Sequence, residues 1–296
     1  MNQSAQAGAI KPSAKNKTRS KFGIGKGLAF LLLGVLLVTQ LYPLLWLLIY
    51  SMKTNEEILD GGFFSLPASP QWTNFQQALD AGYFSFLGNS VKVTLITMIC
   101  VLLLASMVAF AISRFQWKYG QVVMLLFLIG MMIPMQATLL PLMQMFKNIG
   151  PNGILNTHLA LIIPYIAFQT PIAVFILSNF MKSIPNEIEE SAIVDGAGVF
   201  RIFWNIILPV SVPPMMTVLI LTFINIWNEY VLAATFISSQ ALKTLPFGAN
   251  SFVSQYSVNY GAIGAFLVLG ALPVVVIYFL LADKITKGMV AGAVKG

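Results

Sequence analysis

Charged side chains are scarce in this chain. Only 9% of its 296 residues are charged and 57% are hydrophobic, whereas a soluble globular domain carries about 25% charged residues. So few charges could not cover a water-exposed surface, which excludes a soluble fold and predicts an integral membrane protein. The 17 basic and 10 acidic residues leave a net charge of +7. Because the basic residues follow the pattern of a membrane topology, nucleic acid is not expected as a partner.

Reactive side chains are equally few. Cys100 is the one cysteine and His158 the one histidine in the sequence, which excludes an internal disulfide and a Cys/His metal site. The chain has no phosphate-binding G-x-x-x-x-G-K-[ST] motif, no nucleophile–base set and no pair of intramembrane carboxylates. We therefore expect neither enzymatic activity nor a cofactor or metal on this chain.

Long apolar runs are what the sequence has instead. Six of them reach the roughly 20 residues that a bilayer-spanning helix needs, and a chain in hydrocarbon must satisfy its backbone as helix. An all-α integral membrane protein with six transmembrane helices is predicted. The predicted spans are Leu28–Met52, Gly88–Ile112, Gln121–Phe146, His158–Met181, Val212–Ile237 and Ala262–Ala282.

Basic residues give this bundle an orientation. With the N-terminus inside, the inner segments hold thirteen Lys and Arg residues and the outer loops hold three, which predicts that both termini are cytoplasmic. The polar stretch 1–27 has six basic and no acidic residues and is predicted to be a disordered cytoplasmic tail. The remainder, 28–296, forms the transmembrane domain. The loop 53–87 is then external and the polar gap 183–211 is cytoplasmic.

Helix signals divide the gap 183–211 into two short helices. Ser183 as N-cap with Pro185 in the first turn predicts a first helix, whose apolar face carries Ile184, Ile188 and Ala192. Gly196 and Gly198 predict a sharp bend after it. A second helix is predicted over Val199–Ile207, with Phe200, Phe203 and Ile207 on one side and Leu208-Pro209 ending it. The gap is therefore predicted to form a compact helix-turn-helix. The alternative interpretation is an ordinary loop packed on its own bundle.

The same gap contains a spaced motif: Glu190-Ser191-Ala192, three residues, Gly196, nine residues, Ile206-x-Leu208-Pro209. This spacing resembles the EAA loop of ABC-importer permeases, with Ser191 in place of the first alanine of the motif. The resemblance extends over about Leu66–Gly296 to carbohydrate permeases of the maltose-transporter type. Further pieces that carry it are Pro67-x-x-Pro70-x-Trp72-x-Asn74-Phe75, Asn89-Ser90, Ala111 to Phe115, Ile133-Pro134, Leu140-Pro141, Ile184-Pro185, Trp227-Asn228-Glu229-Tyr230 and Ala291 to Gly296.

This resemblance implies an ABC-importer permease fold in the bacterial plasma membrane, with a core at about 86–283, a coupling loop at about 183–211 and a C-terminal tail at 284–296. It implies a second permease subunit, two ATPase subunits that bind ATP and Mg, and an extracytoplasmic solute-binding protein. The cargo would be a sugar or oligosaccharide, or alternatively another small solute such as a polyol or glycerol phosphate. The residues expected to couple to the ATPase are Glu190, Ser191, Ala192, Asp195, Gly196, Ile206, Leu208 and Pro209. The tail residues expected to contact it are Gly292, Ala293, Val294, Lys295 and Gly296, with fraying after the last helix as the alternative.

Glu229 is the one acidic residue well inside a predicted span. A carboxylate at such a depth costs about 2.5–3.5 kcal/mol on insertion scales, so it should face a cavity or a partner. With Asn225, Asn228 and Tyr230 it could hydrogen-bond sugar hydroxyls, and Trp227 and Tyr230 could stack on sugar rings. A structural polar cluster at a subunit interface is an equally open alternative.

Other membrane classes fit this sequence less well. A secondary transporter or channel would show inverted repeats or several intramembrane charges, and it would leave the polar gap 183–211 unexplained. A membrane enzyme or assembly factor is disfavoured because no reactive cluster is present.

Overall fold

The computed structural model describes residues 24–115 and 117–293, and side chains as far as residue 279. It divides into two compact units, Met1–Trp46 and Leu47–Gly296. The basic tail lies outside the described residues up to residue 23. So do Val294, Lys295 and Gly296 at the other end.

Every regular element in the described part of the chain is helical. The α-helices are α1 (Ile24–Tyr50), α2 (Asn55–Leu59), α3 (Thr73–Asp80), α4 (Tyr83–Arg114), α5 (Gly120–Met131), α6 (Leu139–Lys147), α7 (Leu159–Met181), α8 (Glu187–Val194), α9 (Val199–Ile202), α10 (Leu208–Val210), α11 (Val212–Trp227), α12 (Val231–Phe236), α13 (Leu245–Gly248) and α14 (Tyr260–Ala293). Short 3₁₀ turns cover Met135–Thr138, Gln240–Leu242 and Ala249–Phe252, and a π turn covers Phe203–Ile207. The all-α prediction is confirmed.

Four of these helices, α1, α4, α7 and α14, are by length and composition able to cross a membrane. Two bent helix pairs pass the same test, so the described residues hold up to six spans. The third predicted span is one such pair, because α5 and α6 are bent by 89° around Pro134. Proline there supplies no backbone N–H to a continuing helix.

The fifth predicted span, Val212–Ile237, is wrong in its continuity. The helix α11 stops at Trp227, and α12 starts only at Val231. At its other end α11 is joined to the preceding helices at Ser211, with a bend of 73° between Val199–Val210 and Val212–Trp227. The last predicted span, Ala262–Ala282, lies within a longer helix, since α14 runs from Tyr260 to Ala293.

The centre of the second unit is the packing of α4 against α7. Small side chains on both helices are completely buried there, among them Ala105, Ala109 and Ala173. Small residues let helix backbones approach closely, which is how membrane helices gain van der Waals contact. The core that they begin continues into the polar gap 183–211, since Ile184, Ile202, Phe203 and Ile207 belong to the same cluster.

The segment between α1 and α4 is folded by hydrogen bonds. Thr54 and Glu57 form a capping box at the start of α2, and Glu57 also accepts from the backbone N–H of Ala68 at 2.8 Å. These backbone hydrogen bonds, with that of Thr54 the largest cause and that of Ala68 next, lower the pKa of the Glu57 carboxyl. The buried amide of Asn74 donates to the carbonyls of Ser51 and Lys53, which ties α3 to the end of α1.

Candidate functional site

The polar gap folds into a hairpin of short helices with Gly196 at its bend. Gly196 has a φ of +79°, a left-handed conformation that glycine adopts without the steric cost of a Cβ. Its N–H donates to Ile193 O at 2.9 Å, and the N–H of Ala197 donates to Ala192 O at 2.9 Å. These two bonds form a Schellman motif, which satisfies the last carbonyls of α8. The predicted bend is therefore present, with a defined hydrogen-bond pattern.

The predicted start of the first helix is wrong. The helix α8 begins at Glu187, three residues later than a helix capped by Ser183 would begin. Proline disfavours helical backbone at the residue before it, which here is Ile184. Ser183 donates its hydroxyl to Phe180 O at 2.7 Å and so closes the preceding helix rather than capping this one. Ile184 is 6% exposed and lies before α8, and Ile188 on α8 is exposed, so the predicted single apolar face does not exist.

The second helix of the gap continues further than expected. After α9, a π turn over Phe203–Ile207 leads into α10, so Leu208-Pro209 extends the helix and the turn comes at Ser211. Pro209 lacks the N–H that an α-helical turn would use here, and the Leu208 N–H bonds to Phe203 O in the wider π pattern. π turns inside helices occur frequently at functional sites.

The hairpin has one buried and one exposed apolar side. Phe203 is buried, with its ring centroid 5.2 Å from that of Phe110 at the end of α4, and Ile207 is completely buried. Phe200 was predicted on the same side but is 78% exposed, because it lies in the first turn of α9 beside the Gly196 bend. Other large apolar side chains exposed around this bend are Ile193, Val194 and Val199. We call Ile193, Val194, Val199 and Phe200 the apolar tip.

The residues of the spaced motif fall on both sides of this hairpin. Glu190, Ser191, Asp195, Gly196 and Pro209 are exposed. Ala192, Ile206 and Leu208 are partly buried and pack against the core cluster. The motif therefore combines residues that hold the loop on the bundle with residues that remain accessible, and their role in coupling stays a prediction.

Arg114, the last residue of α4, holds this hairpin to the bundle and was not predicted as a site residue. Its Nη2 donates to Ile184 O at 2.9 Å and its Nη1 to the Asn186 amide oxygen at 2.7 Å. Its Nε lies 2.7 Å from Glu189 Oε1, with the two side chains 4% and 15% exposed. Burial raises the pKa of the Glu189 carboxyl and the Arg114 charge opposes that shift. The two residues are 75 positions apart in the sequence, too far for any local pattern to pair them.

The break between α11 and α12 is built around Glu229. This carboxylate is 9% exposed, accepts from the Tyr165 hydroxyl at 2.5 Å, and accepts from the Leu232 and Ala233 N–H groups at 2.8 and 3.3 Å. It thus serves the free amides at the start of α12, a position where negative charge is favourable. Both oxygens are engaged by donors of the same chain.

The polar residues around Glu229 are more accessible. Asn225 is exposed and donates to the amide oxygen of Gln169 on α7 at 3.1 Å. Asn228 is exposed and donates to Ile224 O, while Tyr230 accepts from Asn250 at 2.7 Å. Trp227, expected to stack on a sugar ring, is 4% exposed because its ring packs against Phe223 at 5.2 Å. Of the two predicted stacking rings, only that of Tyr230 is accessible.

An apolar cavity of about 350 Å³ lies between α4, α11 and α14. Met98, Met216, Phe223, Pro273 and Ile277 are among the residues that line it. Such a wall offers few partners for hydroxyl groups, so this cavity does not suit a sugar. The exposed amides of Asn225 and Asn228 are better matched to that chemistry.

At the C-terminus, Gly292 and Ala293 are the final described residues and continue the backbone of α14. The prediction that this tail contacts an ATPase falls mostly on Val294, Lys295 and Gly296, which lie outside the described residues.

The described helices form a bundle with a bent hairpin of short helices at the end of α4 and α7, which is the architecture of a multi-pass membrane protein. The family model described as "Binding-protein-dependent transport system inner membrane component" matches residues 101–290, and the chain belongs to this family. It is therefore a transporter component of the plasma membrane.

Individual relatives cover nearly the whole chain. A putative ABC transporter permease protein, ORF2, of Caldicellulosiruptor sp. is 40% identical over 90% of this chain and 96% of its own. The sulfoquinovosyl glycerol transport system permease SmoH of Agrobacterium fabrum is 32% identical over 94% of this chain and 96% of its own. Among solved structures, a bacterial ABC transporter for the import of alginate has a chain with a TM-score of 0.75 at 20% identity, covering 88% of this chain and 96% of its own. The predicted all-α permease fold and membrane location are confirmed, and the cytoplasmic orientation of the termini stays a prediction.

Proposed function

We propose that this chain is the membrane-spanning subunit of an ATP-driven importer for a sugar or oligosaccharide. The observation that carries the proposal is the hairpin 183–211, which is held on the bundle at one side and presents the apolar tip at the other. Four large apolar side chains are exposed around one bend, and contiguous exposed apolar patches mark protein interaction sites. The family to which the chain belongs supports a transport role for that interaction.

The partner of the apolar tip is, in this proposal, an ATPase subunit on the cytoplasmic side. The thirteen-to-three distribution of basic residues supports a cytoplasmic hairpin and cytoplasmic termini. ATP and Mg would be bound by two ATPase subunits, since this sequence lacks a phosphate-binding loop. A second permease subunit, different from this chain, and an extracytoplasmic solute-binding protein complete the proposed complex.

The proposed substrate pathway runs past Asn225, Asn228 and Tyr230. Asn225 is exposed on α11, and Asn228 and Tyr230 are exposed at the break between α11 and α12. All three fall within the predicted fifth span, where polar groups would face protein or water rather than lipid. Amide groups and an aromatic ring are suited to sugar hydroxyls and sugar rings. Glu229 supports this surface indirectly, because its oxygens are engaged by Tyr165 and by the start of α12.

Sugar is favoured over the other small solutes by the maltose-type sequence resemblance and by a relative that is named for sulfoquinovosyl glycerol. A polyol or glycerol phosphate is the second candidate. The two are separated by uptake into proteoliposomes that contain the complete complex, with radiolabelled maltose, maltotriose, glucitol and glycerol 3-phosphate as probes. Uptake of glycerol 3-phosphate alone would overturn the sugar assignment.

The coupling proposal is tested by purification through a tag on this chain. A soluble ATPase should co-purify, and replacing Val194 and Phe200 together by serine should abolish its retention while the membrane helices remain folded. Full retention by this double variant would contradict docking through the apolar tip. Uptake that proceeds without any ATPase subunit would contradict the proposed function as a whole.

A further inference from the structure

The helix α4 is the longest uninterrupted rod in the second unit. It has 32 residues, which corresponds to about 48 Å of helix and is enough to cross the whole membrane. The other helices of comparable length carry internal prolines, at Pro43 in α1, at Pro164 and Pro171 in α7, and at Pro273 in α14. Since proline favours a kink, α4 is the long helix best suited to transmit a displacement without bending.

At its C-terminal end α4 is fixed to the hairpin 183–211 by one guanidinium group. Arg114 contacts three positions at the hairpin entrance, namely Ile184 O, Asn186 Oδ1 and Glu189 Oε1. Charge-assisted hydrogen bonds from a planar guanidinium are geometrically specific. The contacts include both backbone and side-chain atoms, so a displacement of the hairpin displaces the end of α4 as well.

Near its N-terminal end α4 is fixed to the segment that follows α12. Asn89 donates to Ala241 O and Lys243 O at 2.8 and 3.0 Å, and the Ser90 hydroxyl accepts from the Leu245 N–H at 2.8 Å. This segment enters α13, where Phe247 stacks on Tyr230 with the ring centroids 5.9 Å apart. The N-terminal end of α4 is thus connected to the residue that offers the accessible ring beside the Glu229 break.

We propose that Arg114 is a positioning residue that locks the hairpin to α4, so that α4 carries a displacement of the hairpin as one rod to the segment 241–245. The inference rests on the proposed function and deepens it, because it assigns a route by which ATPase movement reaches the substrate pathway. Arg114 touches neither nucleotide nor substrate in this role. It acts through Ile184, Asn186 and Glu189.

A cysteine reporter tests this route without knowledge of the cargo. The complex is purified with its ATPase, Cys100 is replaced by serine, and Asn225→Cys is labelled with a membrane-impermeant maleimide before and after trapping with ATP and vanadate. The parent should change its labelling rate on trapping. In Arg114→Gln this change should fall by at least about fivefold, the lower end of typical coupling between sites, while ATP hydrolysis continues. Arg114→Lys keeps the positive charge but not the planar, multiply donating guanidinium, so its change in labelling rate should lie between those of the parent and Arg114→Gln.

Two further variants separate coupling from folding. Asn186→Ala removes one hydrogen bond from an exposed side chain and should reduce the labelling change while the complex assembles normally. Lys118→Gln removes a positive charge four residues beyond Arg114, from a lysine that lies over the Tyr119 ring, and should behave as the parent. An unaltered response in Arg114→Gln overturns the inference, as does failure of both Arg114→Gln and Asn186→Ala to assemble. If the parent hydrolyses ATP with its partner but its labelling rate does not change on trapping, only the proposed transmission through α4 is overturned. If no ATPase subunit binds the parent, the proposed function is overturned as well.

Discussion

Gly196 offers the sharpest single test of the hairpin, because its surroundings have room for a larger side chain whereas its backbone conformation disfavours one. A Cβ added at this position would meet nothing within 4 Å, so no steric collision with a neighbour opposes a larger residue. The φ of +79° nevertheless costs a non-glycine residue about 1–2 kcal/mol. Gly196→Ala should therefore act through the backbone alone.

The magnitude follows from that cost. If an ATPase binds only the hairpin with its Schellman turn, Gly196→Ala should weaken binding by about 5- to 30-fold, which is what 1–2 kcal/mol amounts to. Gly196→Asn should weaken it less, since asparagine tolerates the left-handed region better than alanine does. The thermal stability of the membrane helices should not change, because the bend is exposed. The assay is a titration of the ATPase subunit onto this chain and its companion permease in nanodiscs.

Gly198→Ala is the matched control. Gly198 lies two residues away, also has nothing within 4 Å of an added Cβ, and has a φ of −76°. Alanine at a compatible φ is neutral or slightly stabilising through the unfolded state. Equal affinities for the two alanine variants would refute the argument that the left-handed turn at Gly196 determines docking.

Three other predictions concern the tip, the helix break and the external segment. Phe200→Ala should weaken ATPase binding by about 10- to 160-fold, the equivalent of about 1.5–3 kcal/mol of aromatic burial, and leave the melting temperature unchanged. The buried Phe203→Ala should destabilise the fold by about 3–5 kcal/mol, and the same melting temperature for both variants would contradict the assigned faces. Glu229→Ala should destabilise the chain by about 1–3 kcal/mol, because two helix-start amides lose their acceptor, while Asn225→Ala should alter uptake at unchanged stability. Altered uptake at unchanged stability in Glu229→Ala, with destabilisation in Asn225→Ala, would make Glu229 the pathway residue. The pKa of Glu57 is lowered in the folded chain, so the stability that its carboxylate contributes should be present above its ordinary pKa and disappear as the pH falls through the lower folded value. Amide exchange around α2 should therefore speed up in acid in the parent but not in Glu57→Gln, and the same acid response in both would contradict this role.

Local sequence was sufficient for several of these features. Gly196 and Gly198 predict the bend because a left-handed helix end depends on one residue and its neighbours. Proline is a less specific signal, because the chain breaks at Pro134 whereas Pro164, Pro171 and Pro273 lie inside continuous helices. The start of α8 was misjudged because two helix-start signals, Ser183 and Pro185, lie close together, and Ser183 instead closes the helix before it.

The roles of individual polar residues were less accessible to sequence reasoning. Glu229 reads as an isolated intramembrane acid, and only the packing of α7 against the α11–α12 break brings the Tyr165 hydroxyl to it. Phe200 and Phe203 are both aromatic and three residues apart, yet one is exposed and the other buried. Their exposure differs because Phe203 packs against the end of the bundle and Phe200 lies beyond it, and a short stretch of sequence does not show where the bundle ends.

By itself the sequence determined that this protein is a helical membrane bundle, because scarcity of charge and length of apolar runs are properties of composition and local order. It also determined the bend in the hairpin. Only the tertiary structure decided that Arg114 joins that hairpin to α4 through Glu189, and that the oxygens of Glu229 are engaged within the chain. The Tyr165–Glu229 and Arg114–Glu189 contacts link positions 64 and 75 residues apart, and such pairs form only when whole helices have packed.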